Sequence, residues 1–131
     1  MEITLVIKGQ LPGLNEYTRA CRSNAYAGAK MKKRAEKIIE AYIMQQLKGV
    51  HFPGTVELSF YWYEKNRKRD LDNICFAKKF ILDALVNSKI IVADSWKGVV
   101  GFTDHFRVDP DDPRIEIEIR EVVKGVCNGK E

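Results

Sequence analysis

The pattern of apolar residues predicts an α+β domain, a small mixed sheet with two helices packed on it. Three runs alternate apolar and polar residues with the period of a strand, at residues 2–8, 56–63 and 114–122. Two longer segments, 31–48 and 71–86, carry apolar stripes at helical spacing. With 131 residues and 45% hydrophobic content, residues 1–131 fit one domain with its own core. The tail after residue 124 is expected to fray.

The first strand, Glu2 to Lys8, ends at Gly9 and the Pro12-Gly13 turn signal. Residues 13–30 are small and polar without a clear period, so a long loop is expected there, either functional or poorly ordered. Met31, Ala35, Ile38, Ile39, Tyr42, Ile43 and Leu47 then form the stripe of the first helix, with Lys32, Lys33, Arg34 and Lys37 largely off it. Gly49 marks its stop. After Pro53-Gly54, Val56, Leu58, Phe60 and Trp62 alternate with Glu57, Ser59, Tyr61 and Tyr63. Tyr61, Trp62 and Tyr63 read as sheet packing rather than as a platform for bases.

Asp70 stands where the N-cap of the second helix belongs. At about 100° per residue, Ile74, Ala77, Ile81, Ala84 and Leu85 share a packing face, and Asp72, Phe76, Lys79 and Asp83 lie opposite. Residues 89–93 are a short apolar run ending at Asp94. A further strand is expected around residues 98–103 or 106–108, ahead of the two-proline turn at 109–113. In the last strand Ile115, Ile117 and Ile119 alternate with Glu116, Glu118 and Arg120.

Several function classes are set aside by these patterns. No run of roughly 18 apolar residues exists, so no membrane span is expected. The first residues read as a strand rather than a signal peptide, which implies a cytoplasmic location. Cys21, Cys75 and Cys127 are far apart and odd in number, and are read as free thiols. Charge is unevenly placed: 13 Lys and Arg against 6 acids before Asp70, then 9 against 12, so the balance turns from +7 to −3. Such asymmetry suits a polyanionic partner.

The chemistry concentrates at residues 65–73, where Lys65, Arg67, Lys68 and Arg69 run straight into Asp70 and Asp72. Two carboxylates at i, i+2 can converge on a hard divalent cation, and Mg²⁺ typically takes one or two protein carboxylates while keeping several waters. The adjacent cations can hold a phosphate backbone in front of it. Helix capping and a favourable place at the positive helix end account equally well for the two acids, but not for the cationic run beside them. Asp94 is the candidate third ligand. Asp83 is the poorer one, since 11 residues of straight helix place it about 16 Å from Asp72. Lys79 projects on the Asp72 side, about 10 Å along, whereas Lys78 borders the packing face. Lys79 is thus the better cation to touch a phosphate, the plainer alternative being an i, i+4 pair with Asp83. Lys32 and Lys33 extend the positive surface.

The ordered set Arg69-Asp70-Leu71-Asp72-Asn73, Lys79, Asp83-Ala84-Leu85 and Asp94 resembles the RusA family of Holliday junction resolvases, as does Asn15-Glu16-Tyr17 after the first strand. The likeness spans nearly the whole chain. It implies a RusA-like fold and a homodimeric, Mg²⁺-dependent endodeoxyribonuclease, with Mn²⁺ able to substitute, acting on branched four-way DNA. It further implies Asp70, Asp72 and Asp94 as the metal-binding catalytic acids, with Asn73 in support, and hydrolysis leaving 5′-phosphate and 3′-hydroxyl ends. Arg67, Lys68, Arg69, Asn73, Lys32 and Lys33 are the expected DNA contacts. The shorter family pattern carries its lysine four residues after the second aspartate, where this chain has Phe76. The interval from Asp72 to Asp83 is about three residues longer here, and the lysine match falls on Lys79.

Two other readings compete. In one, a non-catalytic DNA-binding module uses the basic run and the acids only cap the helix. In the other, Asp70 and Asp72 are the D-x-D motif of a nucleotide-sugar transferase, for which 131 residues are few.

Overall fold

The computed structural model describes residues 1–122, so the expectation for the tail after residue 124 lies outside the described residues. The chain runs β1 (Glu2–Lys8), α1 (Leu14–Ser23), α2 (Ala25–Gln46), β2 (Val56–Glu64), α3 (Leu71–Cys75), α4 (Lys78–Asn87), β3 (Val99–Val108) and β4 (Arg114–Glu121). The strands form one mixed sheet in the order β1-β4-β2-β3, which is the α+β architecture the patterning predicts. β4 is antiparallel to both β1 and β2, while β3 is parallel to β2. Parallel neighbours require a crossover connection, and α3 with α4 provides it.

Strand alternation sends Leu5 and Ile7, Leu58, Phe60 and Trp62, and Ile115, Ile117 and Ile119 to one face of the sheet, all of them buried. Ala35, Ile39 and Ile43 of α2 and Ile81, Ala84 and Leu85 of α4 complete that core. The predicted packing face of the second helix is therefore the observed one. The opposite face of the sheet is polar, with Arg114 lying 3.8 Å over the Tyr63 ring and Tyr61 stacked on His105. No helix among the described residues is long and apolar enough to cross a membrane.

Three expectations are corrected. Residues 13–30 are not a long loop but α1 and the start of α2, divided at Asn24, whose side chain accepts the Tyr26 and Ala27 N–H groups as an N-cap. α1 buries no residue fully; its half-buried positions Leu14, Tyr17, Thr18 and Ala20 recur at helical spacing but hold few strongly apolar side chains among many polar ones. The second predicted helix is two segments. Between them the bonding tightens to three-residue spacing, Ala77 to Ile74 and Lys79 to Phe76. Phe76, expected on the outer face, is instead half-buried and packs with Tyr17 and Phe80 at ring distances of 5.4 and 5.6 Å. Finally, the two alternative short strands are one continuous strand, β3.

Candidate active site

β2 delivers the chain to the candidate site at Glu64, a buried carboxylate. Arg69 grips it with two bonds, Nε to Oε1 at 3.0 Å and Nη2 to Oε2 at 2.8 Å, and donates a third through Nη1 to the Leu11 carbonyl. This fork holds the 65–70 loop against the end of the strand. Arg69, expected to touch DNA, thus also serves as an internal tie. Two of its five N–H groups remain outside these bonds.

Asp70 follows with extended backbone (φ −70°, ψ 157°) and opens α3, its carbonyl accepting the Ile74 N–H at 3.0 Å. Its carboxylate makes no capping hydrogen bond and is exposed. Asp72, in the first turn, is exposed as well. Asn73 turns the other way. It is 8% exposed, and its Oδ1 accepts the Asn15 N–H at 2.8 Å. The contact is so close that a Cβ on Gly13 would stand 2.5 Å from Asn73 Oδ1, which reserves that place for glycine. Asn73, expected among the DNA contacts, therefore joins α3 to α1 and leaves little of its side chain at the surface. The two pieces of the sequence resemblance, around Asn15 and around Asn73, meet here in space.

Lys78 and Lys79 part company at the start of α4. Lys78 Nζ donates to Asp104 Oδ2 at 2.6 Å and lies 4.2 Å from the centre of the Phe102 ring. Asp104 Oδ1 in turn accepts from Trp62 Nε1 at 2.9 Å. Asp104 was not singled out in the sequence, although Phe102 and Phe106 two places to either side signal that it shares their helix-facing side. Cys75 sits in the same field: burial raises its thiol pKa, Asp104 and Asp72 add to the shift, and Lys78 opposes it. Lys79 is exposed, with Asp83 Oδ1 at 3.7 Å and Asp94 Oδ2 at 4.0 Å.

Asp94 is exposed on the loop into β3. That loop is folded tightly on itself, since a Cβ on Gly98 would lie 2.0 Å from the Ala93 carbonyl oxygen. Asp83 also holds Lys32 Nζ at 3.3 Å, so Lys32, expected among the DNA contacts, takes part in this surface network. Lys33, Arg67 and Lys68 are exposed. Arg67 and Asp70 line a hollow of about 590 Å³ at the ends of β2 and β3, together with Arg107. Arg107 is a cation the sequence reading passed over. Among the described residues no three His, Cys, Asp or Glu side chains are grouped closely enough to hold a metal ion. Asp70 and Asp72 are thus near one another through α3, while Asp94 stands with Lys79.

The profile of the endodeoxyribonuclease RusA family matches residues 11–120 of this chain, from the segment before α1 to β4. No curated protein matches it. The chain belongs to the RusA family and is by that membership a nuclease of the kind that acts on Holliday junction DNA.

Proposed function

We propose that this RusA-family chain is a Mg²⁺-dependent, structure-specific endonuclease that resolves four-way DNA junctions in recombination and repair, working in the cytoplasm as a homodimer. The observation that carries the reading is the state of the two acids. Asp70 stands at the cap position without using its carboxylate as a cap, and Asp72 beside it is exposed. A pair that served only to cap α3 has no need of that arrangement, which weighs against the non-catalytic binding module.

The donor chemistry suits a hydrated Mg²⁺, which takes few protein carboxylates and keeps water in its remaining positions. Asp70 and Asp72 would hold it; Asp94, the candidate third acid, stands apart beside Lys79 and would have to move to join them. A metal held there would supply a water of lowered pKa and offset charge on the phosphoryl group. Arg67 and Arg107 supply positive charge in the hollow that Asp70 lines, and Lys68 is exposed on the same loop as Arg67. They hold the backbone through its phosphates, so binding weakens steeply with salt. Lys79 is loosely placed between two acids and is free to move to a phosphate oxygen.

The test compares wild type with Asp72→Asn on a synthetic four-way junction in Mg²⁺ and in Mn²⁺. Wild type should cut in paired positions, and the variant should bind the junction without cutting it. An intact junction after incubation with wild type in either metal rules the nuclease reading out. Equal cutting of any branched or single-stranded DNA removes the junction specificity.

A further inference from the structure

Arg19, Lys30 and Arg34 are exposed cations outside the candidate active site. All three line a hollow of about 510 Å³ in the cleft between α1 and α2, Arg19 from the first helix and the other two from the second. Lys30 and Arg34 stand one turn apart, about 6 Å along α2. Among the described residues no carboxylate forms an ion pair with any of the three.

This hollow is not isolated. Pro12 and Glu16 line it and also line a second hollow, of about 520 Å³, with Lys65 and Lys68. Asn66 and Arg69 are in turn shared between that second hollow and the one that Asp70 lines. The three form one track over the surface, from Asp70 to the α1–α2 cleft. Eight cations line the track against three acids. Two of those acids are already engaged, Glu64 by Arg69 and Gln10, and Glu16 by the Gly13 N–H and, at 3.6 Å, by Arg69. Asp70 is left as the one acid along the track without such a partner.

We propose that the track carries a DNA backbone away from the candidate active site, and that the α1–α2 cleft grips a duplex arm at a distance from the strand to be cut. A polymer with one charge per ~1.7 Å of axis suits cations strung along a groove rather than gathered at a point. A small anion or an acidic peptide would fill one hollow, whereas continuity with Asp70 favours the polymer that is itself cut. α1 is ten residues long, about 15 Å, so the cleft spans roughly four base pairs. Contacts to phosphates position a duplex without reading its bases, so the cleft lengthens the footprint and adds no sequence preference. The inference rests on the preceding reading for its substrate. It is measured as binding without divalent metal, so a failure to cut and a failure of the cleft give different results.

Affinity is followed by fluorescence anisotropy in EDTA, over a salt series, on four-way junctions whose arms are native or carry neutral methylphosphonate links in their distal half. The neutral links should weaken wild-type binding and lower the slope of log affinity against log salt by about 2 to 3. Arg19→Gln with Lys30→Gln and Arg34→Gln should lower the slope on native arms by as much, and should no longer respond to the neutral links. Should that variant misfold, lysine acylation of wild type replaces it: the junction should shield Lys30 and leave Lys48, beyond the far end of α2, reactive. A wild type indifferent to the neutral links overturns the proposal. So does a folded variant that responds to them as fully as wild type, or a Lys30 that stays reactive in the complex. Cutting without these effects removes the cleft alone, and these effects without cutting in Mg²⁺ or Mn²⁺ remove the nuclease reading alone.

Discussion

Lys78 and Lys79 are neighbours in the chain and opposites in the structure. Lys78 is tied at 2.6 Å to Asp104, which also takes the Trp62 indole N–H, and its side chain is 15% exposed. Lys79, one step of about 100° further round α4, is 58% exposed and has only loose pairs with Asp83 and Asp94. The first charge is neutralised in place and helps hold the crossover to the sheet. The second can be redirected at little cost, because exposed ion pairs are weak. A lysine that must reach a substrate belongs to the second kind.

The comparison breaks most visibly at the inner pair. We predict that Lys78→Met, which strands the Asp104 carboxylate, costs about 2 kcal/mol of stability. Thermal unfolding measures it, and a loss below about half a kcal/mol would reduce the pair to a surface contact. Adding Asp104→Leu should restore part of that loss, since replacing both partners of a partly buried pair by apolar residues is cheaper than removing one. Full additivity of the two changes would show that the groups are not coupled.

The outer lysine should behave in the reverse way. We expect Lys79→Ala to leave stability within about half a kcal/mol while junction cleavage falls roughly tenfold. The matched pair of unfolding and cleavage assays decides this; a stability loss as large as the loss of activity would erase the distinction.

The smallest effect lies at the far end of the outer network, where Lys32 joins Asp83 to Glu36. Glu36 Oε2 is buried without a hydrogen-bond partner, and burial raises the Glu36 pKa from its ordinary value, with Lys32 opposing the shift. A raised carboxyl pKa means that the contribution to stability is complete below the ordinary value and is lost as pH rises through the folded one. Glu36→Gln should therefore be more stable than wild type by roughly a few tenths of a kcal/mol at neutral pH. The difference should vanish once both proteins are below the carboxylate range. Urea unfolding at the two pH values checks it, and a more stable wild type at neutrality would contradict the assignment.

Where the residue pattern spoke clearly, the structure agrees: the strands around Leu58, Phe60 and Trp62 and around Ile115, Ile117 and Ile119, and the buried stripe from Ile74 to Leu85. Where it failed, the cause is physical. α1 is built of small and polar residues and is held by Tyr17 on Phe76 and Phe80. Its stability comes from partners distant in the chain rather than from its own ten residues. Asp104 carries no local sign of its partners, because Trp62 and Lys78 lie 42 and 26 positions away.

Alone, the sequence determined the sheet and helices that bury its apolar residues, the family, and the pair Asp70 and Asp72 after a basic run, because periodicity and short motifs are local properties. The tertiary structure decided which charges remain free. Arg69, Asn73 and Lys78 are drawn into internal bonds, and Asp70, Asp72, Arg67 and Lys79 are left at the surface. A charged side chain is available to a substrate only when no nearer partner satisfies it, and that is settled by what folding brings beside it.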